Sequence, residues 1–139
     1  MRVTRAGPPT RSRFVGRLFQ PLDLPMNLDE LVEEFSKISA GKVIQDLCRL
    51  IIEWKDNDNS VEDLNESIDK YLGNTWIERN EDHETIYQTW SAFKEIAISG
   101  IGGMTMNERL YCFSLFERFD ACADENAKLM IYRKLHANP

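Results

Sequence analysis

Two histidines are the first residues in this sequence whose chemistry could define a function, because imidazoles bind metals and transfer protons. They are His83 and His136, far apart in a chain of 139 residues. The segment HETIY begins like the zinc-binding pattern H-E-x-x-H, but Tyr87 occupies the position of the second histidine. That pattern needs two imidazoles on one helix face, so no zinc site of this type is predicted.

The segment DNDNSVED resembles the first half of a calcium-binding loop. Asp56, Asp58 and Ser60 occupy the first three ligand positions of such a loop. Val61 stands where the loop needs a glycine for its sharp turn, and Ser67 stands where it needs a bidentate glutamate. Because these two requirements fail, we predict a solvated loop between two helices, with no metal or other cofactor.

Three glycines within four positions open the segment GIGGMTMNERLY, which raises the question of a phosphate-binding loop. A Walker loop ends in Gly-Lys-Ser/Thr, whereas Gly103 is followed by methionine. A dinucleotide-binding loop needs a third glycine where Thr105 stands. Thr105 and Glu108 instead match the T-x-x-E capping box of a helix start. With Gly100 ending the preceding helix, the segment predicts a helix stop, a reversal and a new helix.

The usual arrangements of catalytic residues do not occur in this sequence. It holds no G-x-S-x-G nucleophile elbow and no glycine-flanked cysteine. Neighbouring carboxylates such as Glu33 and Glu34 are typical of a solvated helix face, and nothing marks a pair as desolvated for acid–base catalysis. We therefore predict that the protein is not an enzyme.

Residues 1–25 differ in composition from the rest of the chain. They contain five arginines, a single acid and four of the five prolines, without a helical or strand period. Three interpretations stay open: a non-native or mis-annotated extension with Met26 as the start, a disordered basic tail, or a mitochondrial-type presequence, which the prolines disfavour. We assign residues 1–25 as a basic, proline-containing extension and residues 26–139 as a single helical domain.

The charge and composition of residues 26–139 limit the possible partners. They hold 22 Asp and Glu residues against 12 Lys and Arg residues. Such an acidic body repels nucleic acid and attracts a basic partner. No run of about 18 apolar residues occurs, so no membrane span is predicted. An odd number of cysteines, three, without a C-x-x-C pair favours a reducing compartment, and we predict a cytoplasmic protein.

Apolar residues recur at about the 3.6-residue period of an α-helix over almost all of this part of the chain. The sequence shows neither sustained strand alternation nor an Asn-Gly or Asp-Gly hairpin signal. The predicted fold class is all-α, a compact bundle of five to six helices. The first three predicted helices follow Asn27, Gly41 and Ser60, where Asn27 with Glu30 and Ser60 with Asp63 match capping boxes. The other predicted helices span 81–99, 106–122 and 124–136.

Acidic residues near aromatic side chains form the predicted partner-binding surface. Aromatic anchors surrounded by charge are typical of protein interfaces, where the acids steer a basic partner. The aromatic residues beside these acids are Tyr71, Trp76, Tyr87 and Trp90, of which Trp76 and Trp90 could instead belong to the core. The predicted contact residues are Asp56, Asp58, Glu62, Asp63, Glu78, Glu81, Asp82, Glu84 and Tyr87.

The segment MTMNERLYCFSLFERFDACADENAKLMIYRKL, residues 104–135, carries a family resemblance. It resembles the C-terminal segment of small, acidic, helical bacterial immunity proteins from polymorphic-toxin and contact-dependent inhibition systems. Their pattern is Thr-hydrophobic-Asn-Glu-Arg-Leu-aromatic, then Phe-Asp, an acidic loop and a last helix, with a glycine where Ser114 stands here. The matching residues are Thr105, Asn107, Glu108, Arg109, Leu110, Tyr111, Phe119 and Asp120.

The resemblance implies a protein that binds and neutralises a cognate toxin, such as a nuclease, by covering its active site. An acidic helical surface would complement the basic cleft of a nuclease without any catalytic residue. Within the motif, Asn107, Glu108 and Arg109 are expected to act locally, as a cap, a capping box and an ion pair with a neighbouring acid. The alternative function is a non-catalytic helical adaptor or regulatory module that binds another protein or self-associates.

Overall fold

The part of the chain that the structure describes folds into helices and connecting turns. The computed structural model describes residues 26–75, 77 and 79–139, so the predictions for residues 1–25, Trp76 and Glu78 lie outside it. The α-helices within the described residues are α1 Leu28–Ile38, α2 Lys42–Asp56, α3 Val61–Asn74, α4 Asn80–Phe93, α5 Met106–Cys112, α6 Phe116–Asp120 and α7 Glu125–Lys134. A π-helical turn, Lys94–Ile98, extends α4, and a 3-10 turn, Ile101–Gly103, precedes α5. The predicted all-α class is confirmed.

Three of these helices begin with a capping box. In each one, the N-cap side chain accepts a backbone N–H bond, and an acid three residues later accepts the N–H of the cap residue. The pairs are Asn27 with Glu30, Ser60 with Asp63 and Thr105 with Glu108. Such a cap contributes about 1 kcal/mol to helix stability. The sequence spacing predicted all three pairs, and the structure confirms them.

One predicted helix is divided in two. The apolar spacing predicts a single helix over 106–122, but α5 ends at Cys112 and α6 begins at Phe116. Ser114, between them, has a φ of 55°, in the left-handed region that interrupts a right-handed helix. Its hydroxyl oxygen accepts the backbone N–H of Asp29 in α1 at 3.1 Å. The described residues therefore form seven α-helices rather than five or six.

The core lies where α1 packs against α2 and α4, and α3 packs against α2 and the π-helical turn. Phe113, in the link between α5 and α6, has no exposed surface. Its ring centre lies 5.6 Å from that of Trp54 in α2 and 5.8 Å from that of Phe93 in α4. Phe113 therefore joins the C-terminal helices to the core formed by the N-terminal ones.

The three cysteines are free thiols. Cys48 and Cys112 are buried, and Cys122 is half-buried. Burial raises the pKa of the Cys112 thiol to about 12, which keeps it protonated. Cys48 and Cys112 thus pack as small apolar side chains, which is the behaviour expected of buried free cysteines.

Among the glycines that the structure describes, Gly100, after the π-helical turn, has the least room for a side chain. Its φ of −91° is open to any residue, but a Cβ atom there would lie 2.6 Å from the carbonyl oxygen of Ile96. We expect Gly100→Ala to lower the free energy of unfolding by about 1–3 kcal/mol, because the backbone must shift to relieve this overlap. Urea denaturation measures the change.

Gly102→Ala is the matched control for this substitution, because a Cβ atom at Gly102 would meet nothing within 4 Å. We expect its free energy of unfolding to lie within about 0.5 kcal/mol of the wild-type value. Equal effects of the two substitutions would contradict the steric explanation for Gly100.

Candidate functional site

Four of the predicted contact residues lie together where α2 meets α3. Asp56 ends α2, Asp58 lies in the loop that follows, and Glu62 and Asp63 lie in the first turn of α3. All four residues are exposed. We call these four residues the acidic corner.

Lys134, the last residue of α7, holds the backbone of this loop from inside the protein. The residue is 1% exposed. Its ammonium group donates hydrogen bonds to the carbonyl oxygens of Trp54, Asn57 and Asn59, the last two at 2.7 and 2.8 Å. Its Nζ atom also lies 3.7 Å from the centre of the Trp54 ring, which is a cation–π contact. The backbone of the predicted loop therefore surrounds the ammonium group of Lys134.

Arg118, in α6, holds the same loop from a second direction. Its guanidinium donates to the carbonyl oxygens of Lys55 and Asn57, each at 2.7 Å. It also pairs with the Asp58 carboxylate at 2.7 Å. These carbonyls lie at the C-terminal end of α2, where helices leave carbonyl groups without intrahelical partners and favour positive charge.

The loop backbone is fixed by its own side chains as well. The indole N–H of Trp54 donates to the carbonyl oxygen of Ser60 at 2.7 Å, and the Asn57 side chain accepts the backbone N–H of Asn59 at 2.9 Å. Together with the two cations, these bonds set the shape of the loop before any partner binds. The acidic corner is therefore a preorganised surface.

The carboxylates of the corner differ in how far they are engaged within the protein. Asp58 pairs with Arg118, and Asp63 closes the capping box of α3. Asp56 and Glu62 form no ion pair with any residue that the structure describes. These two acids are the ones that remain available to a partner.

Two exposed acids that sequence reasoning did not select extend this surface. Glu53 lies three residues before Asp56 on α2, and Glu66 lies four residues after Glu62 on α3. Residues three or four apart share a helix face, so Glu53 lies beside Asp56 and Glu66 lies beside Glu62. Like charges at this spacing destabilise a helix by a few tenths of a kcal/mol per pair, roughly 0.2–0.5 kcal/mol. The helical spacing alone could have identified both residues.

The other predicted acids that the structure describes, Glu81, Asp82 and Glu84, lie beyond the other end of α3. That helix has 14 residues, which corresponds to about 20 Å at 1.5 Å per residue. The Arg79 guanidinium lies 3.5 Å from the Glu81 carboxylate and 3.9 Å from that of Asp82, so it offsets part of their charge. Glu84 accepts a hydrogen bond from Gln88 at 3.4 Å. The structure therefore separates the predicted acids into two groups.

The predicted aromatic anchors have different environments. Trp90 is 1% exposed, and its indole N–H donates to the Asp69 carboxylate at 2.8 Å, so it is a core residue. The hydroxyl of Tyr71, which is half-buried, donates to the carbonyl oxygen of Val43 at 2.7 Å. Tyr87 is 51% exposed, with its ring centre 6.0 Å from that of His83. Of the predicted anchors that the structure describes, Tyr87 is thus the exposed one.

The motif that carries the family resemblance serves the fold. Thr105 and Glu108 form the predicted capping box. Arg109 was expected to pair with a neighbouring acid, and this expectation is wrong. Its buried guanidinium instead donates to the carbonyl oxygens of Leu135 and His136 at 3.2 and 2.6 Å, at the C-terminal end of α7. Arg109 thereby ties the end of α7 to α5.

An apolar groove of about 380 Å³ runs along α4 and its π-helical extension. Ile96, within it, is 49% exposed. The residues that line this groove are Met26, Gln88, Thr89, Ala92, Phe93 and Ile96. None of the predicted contact residues that the structure describes lines this groove.

Burial and several neighbouring charges set the pKa of the Lys134 ammonium group. Burial lowers the pKa of its ammonium group from 10.5 to about 7, and the charge of Arg118 acts in the same direction. The carboxylates of Asp58, Asp56 and Asp63 act in the opposite direction. The Lys134 ammonium group therefore titrates near neutral pH.

This pKa predicts how stability varies with pH. Above about pH 7 the folded protein loses the Lys134 proton, whereas the unfolded chain keeps it until about pH 10. The unfolded state then binds more protons, so we expect the free energy of unfolding to rise between about pH 7 and pH 8.5. Chemical denaturation across this range measures the rise.

Lys134→Met is the control for the pH series, because methionine does not titrate. The range stops below pH 9 because the raised pKa of Cys112 contributes in the opposite direction at higher pH. A wild-type curve parallel to that of Lys134→Met would contradict the assignment of this titration to Lys134.

The fold and the acidic corner define an all-α protein with an anchored acidic loop. The chain matches no family model, no curated protein and no solved structure. Within the described residues, no group of three or more His, Cys, Asp or Glu side chains is arranged to hold a metal ion. In that same part of the chain, no helix combines the length and apolar character that crossing a bilayer requires.

Proposed function

We propose that this protein is an immunity-type protein that binds a basic surface of a cognate bacterial toxin and thereby masks the active site of that toxin. The observation that supports this proposal is the preorganised acidic corner. Lys134 and Arg118 hold its backbone, while the Asp56 and Glu62 carboxylates are exposed. A loop that is already ordered loses little entropy when it binds, which favours tight association.

The charge of the chain supports the same proposal. Residues 26–139 hold ten more acids than Lys and Arg residues. Such a surface accelerates encounter with a basic cleft by about 10- to 1,000-fold at low salt, and the cleft of a nuclease is basic because it binds phosphates. A nuclease is therefore the toxin class that we propose first.

Co-expression with a candidate toxin domain tests the proposal directly. We expect the protein to restore growth and to co-purify with the toxin domain as a complex. The candidate toxin domain is the C-terminal domain of any toxin encoded immediately upstream of this gene. If co-expression with that domain restores no growth and yields no complex, the immunity function is wrong.

Charge reversal tests whether the acidic corner makes the contact. We expect Asp56→Lys with Glu62→Lys to slow association by about tenfold or more at low salt, because no ion pair with a described residue offsets the charge of these two acids. Glu33→Lys with Glu95→Lys is the control, since both residues are exposed and the net charge changes equally. Equal effects of the two pairs would mean that only net charge matters, and the corner would not be the interface.

A second candidate function is a helical adaptor or self-associating module that uses the apolar groove along α4. Ile96→Glu is then expected to abolish association measured by light scattering. Ile52→Glu is the matched control, because Ile52 is also an isoleucine with 49% exposure but does not line the groove. If the wild-type protein is monomeric and binds no other protein through this groove, the adaptor function is wrong.

A further inference from the structure

The oxygen atoms around the Lys134 ammonium group form a site with a defined chemistry. Three backbone carbonyls point to one position: those of Trp54, Asn57 and Asn59. The side-chain oxygen of Asn57 lies 3.4 Å from the same Nζ atom. A primary ammonium has three N–H donors, so its donors match the three carbonyl acceptors. We call these three carbonyls and the Trp54 ring the ammonium cage.

The Trp54 ring adds a preference for a compact organic cation. Its ring centre lies 3.7 Å from Nζ, and indole is the aromatic side chain that attracts cations most strongly. One wall of the cage is therefore apolar and provides no oxygen ligand. This wall suits an alkylammonium, which has carbon atoms on one side, better than a bare metal ion that needs oxygen atoms all around.

The backbone of the cage is held by more than Lys134 alone. Arg118 holds the outer side through the carbonyls of Lys55 and Asn57, and the Trp54 indole holds Ser60. The three cage carbonyls therefore stay close together when the lysine side chain is shortened.

We propose that the loop between α2 and α3 is a binding site for a primary alkylammonium group, which the chain fills with its own Lys134. This inference does not depend on the immunity function, because it concerns a ligand site within the folded chain. The ammonium is a tethered ligand, and α7 delivers it to the loop. A shortened side chain leaves the site open to a free amine of the same size.

Lys134→Ala tests this site, because alanine removes the atoms of an n-propylammonium ion. We expect n-propylammonium to raise the melting temperature of Lys134→Ala saturably, by roughly 4–6 °C at tenfold excess over its dissociation constant. The experiment is done at about pH 6, where the free amine is protonated. Wild-type protein, whose cage is filled, is expected to show no saturable rise.

Three additives separate the chemistry of the site from general effects of solvent. 1-Propanol has the size without the charge, tetramethylammonium has the charge without N–H donors, and potassium chloride supplies a metal cation. We expect none of them to reproduce the rise. An equal rise with any of them, or no rise with n-propylammonium, would overturn the proposal.

The wild-type protein provides a test that does not require Lys134→Ala to fold. In lysine-labelled protein at about pH 6, we expect one ammonium resonance with slow hydrogen exchange and an upfield shift from the Trp54 ring, absent in Lys134→Arg. If Lys134→Ala is unfolded, the same resonance decides the proposal. A Lys134 nitrogen that exchanges like a surface lysine, or that is neutral at this pH, would overturn it.

Discussion

Lys134→Met is expected to lower the free energy of unfolding by about 3–5 kcal/mol at pH 6. Methionine keeps most of the apolar stem but donates no hydrogen bond. The carbonyls of Trp54, Asn57 and Asn59 would then lose the ammonium that the structure places among them. The Asn57 carbonyl keeps its bond from Arg118, and the Trp54 carbonyl keeps the backbone N–H of Asn57 at 3.3 Å. A buried acceptor that loses its donor costs about 1–3 kcal/mol, and the cation–π contact with Trp54 is lost as well.

Urea denaturation measures this change, and Lys128→Met is its control. Lys128 is on the same helix, is only half-buried, and its ammonium lies 5.8 Å from the centre of the Phe119 ring. We expect the control to cost at most about 1 kcal/mol. A loss of less than about 1 kcal/mol for Lys134→Met would show that the loop does not depend on the ammonium.

Phe113→Ala is expected to lower the free energy of unfolding by a similar amount, about 3–5 kcal/mol. The side chain has no exposed surface and packs against the rings of Trp54 and Phe93. Its removal would leave a cavity between the C-terminal helices and the core. Because Trp54 also forms one wall of the ammonium cage, we expect the Lys134 ammonium resonance to move in this variant.

Phe116→Ala is the matched control for Phe113→Ala. It removes the same side chain three residues later, but Phe116 is 42% exposed. We expect a loss of about 1 kcal/mol or less in the same urea experiment. Equal losses for the two substitutions would contradict the central position of Phe113 in the core.

The helices and their starts could be predicted because their signals are local. A capping box spans four residues, as from Thr105 to Glu108, and an apolar stripe repeats every three or four residues. The boundary at Ser114 could not be predicted in this way. Its left-handed conformation is supported by a bond to Asp29, which lies 85 residues earlier in the chain.

The candidate site was predictable only in part, for the same reason. The sequence identifies Asp56 and Glu62 as acids at the turn residues between two predicted helices. Whether an acid remains available depends on cations from other helices, such as Arg118, which pairs with Asp58 from 60 residues away. Trp90 shows the same limit, because a neighbouring acid, Asp69, accepts its indole N–H within the fold and not at an interface.

The sequence by itself determined the all-α class, three capped helix starts and the acidic charge of residues 26–139, because each depends on composition or on residues a few positions apart. The tertiary structure decided which charges meet. Lys134 lies 77 residues from Asn57, and its apolar neighbours Ile131 and Leu135 are the local sign that it faces inward. Only the packing of α7 against the loop places the Lys134 ammonium group among the carbonyls that support the acidic corner.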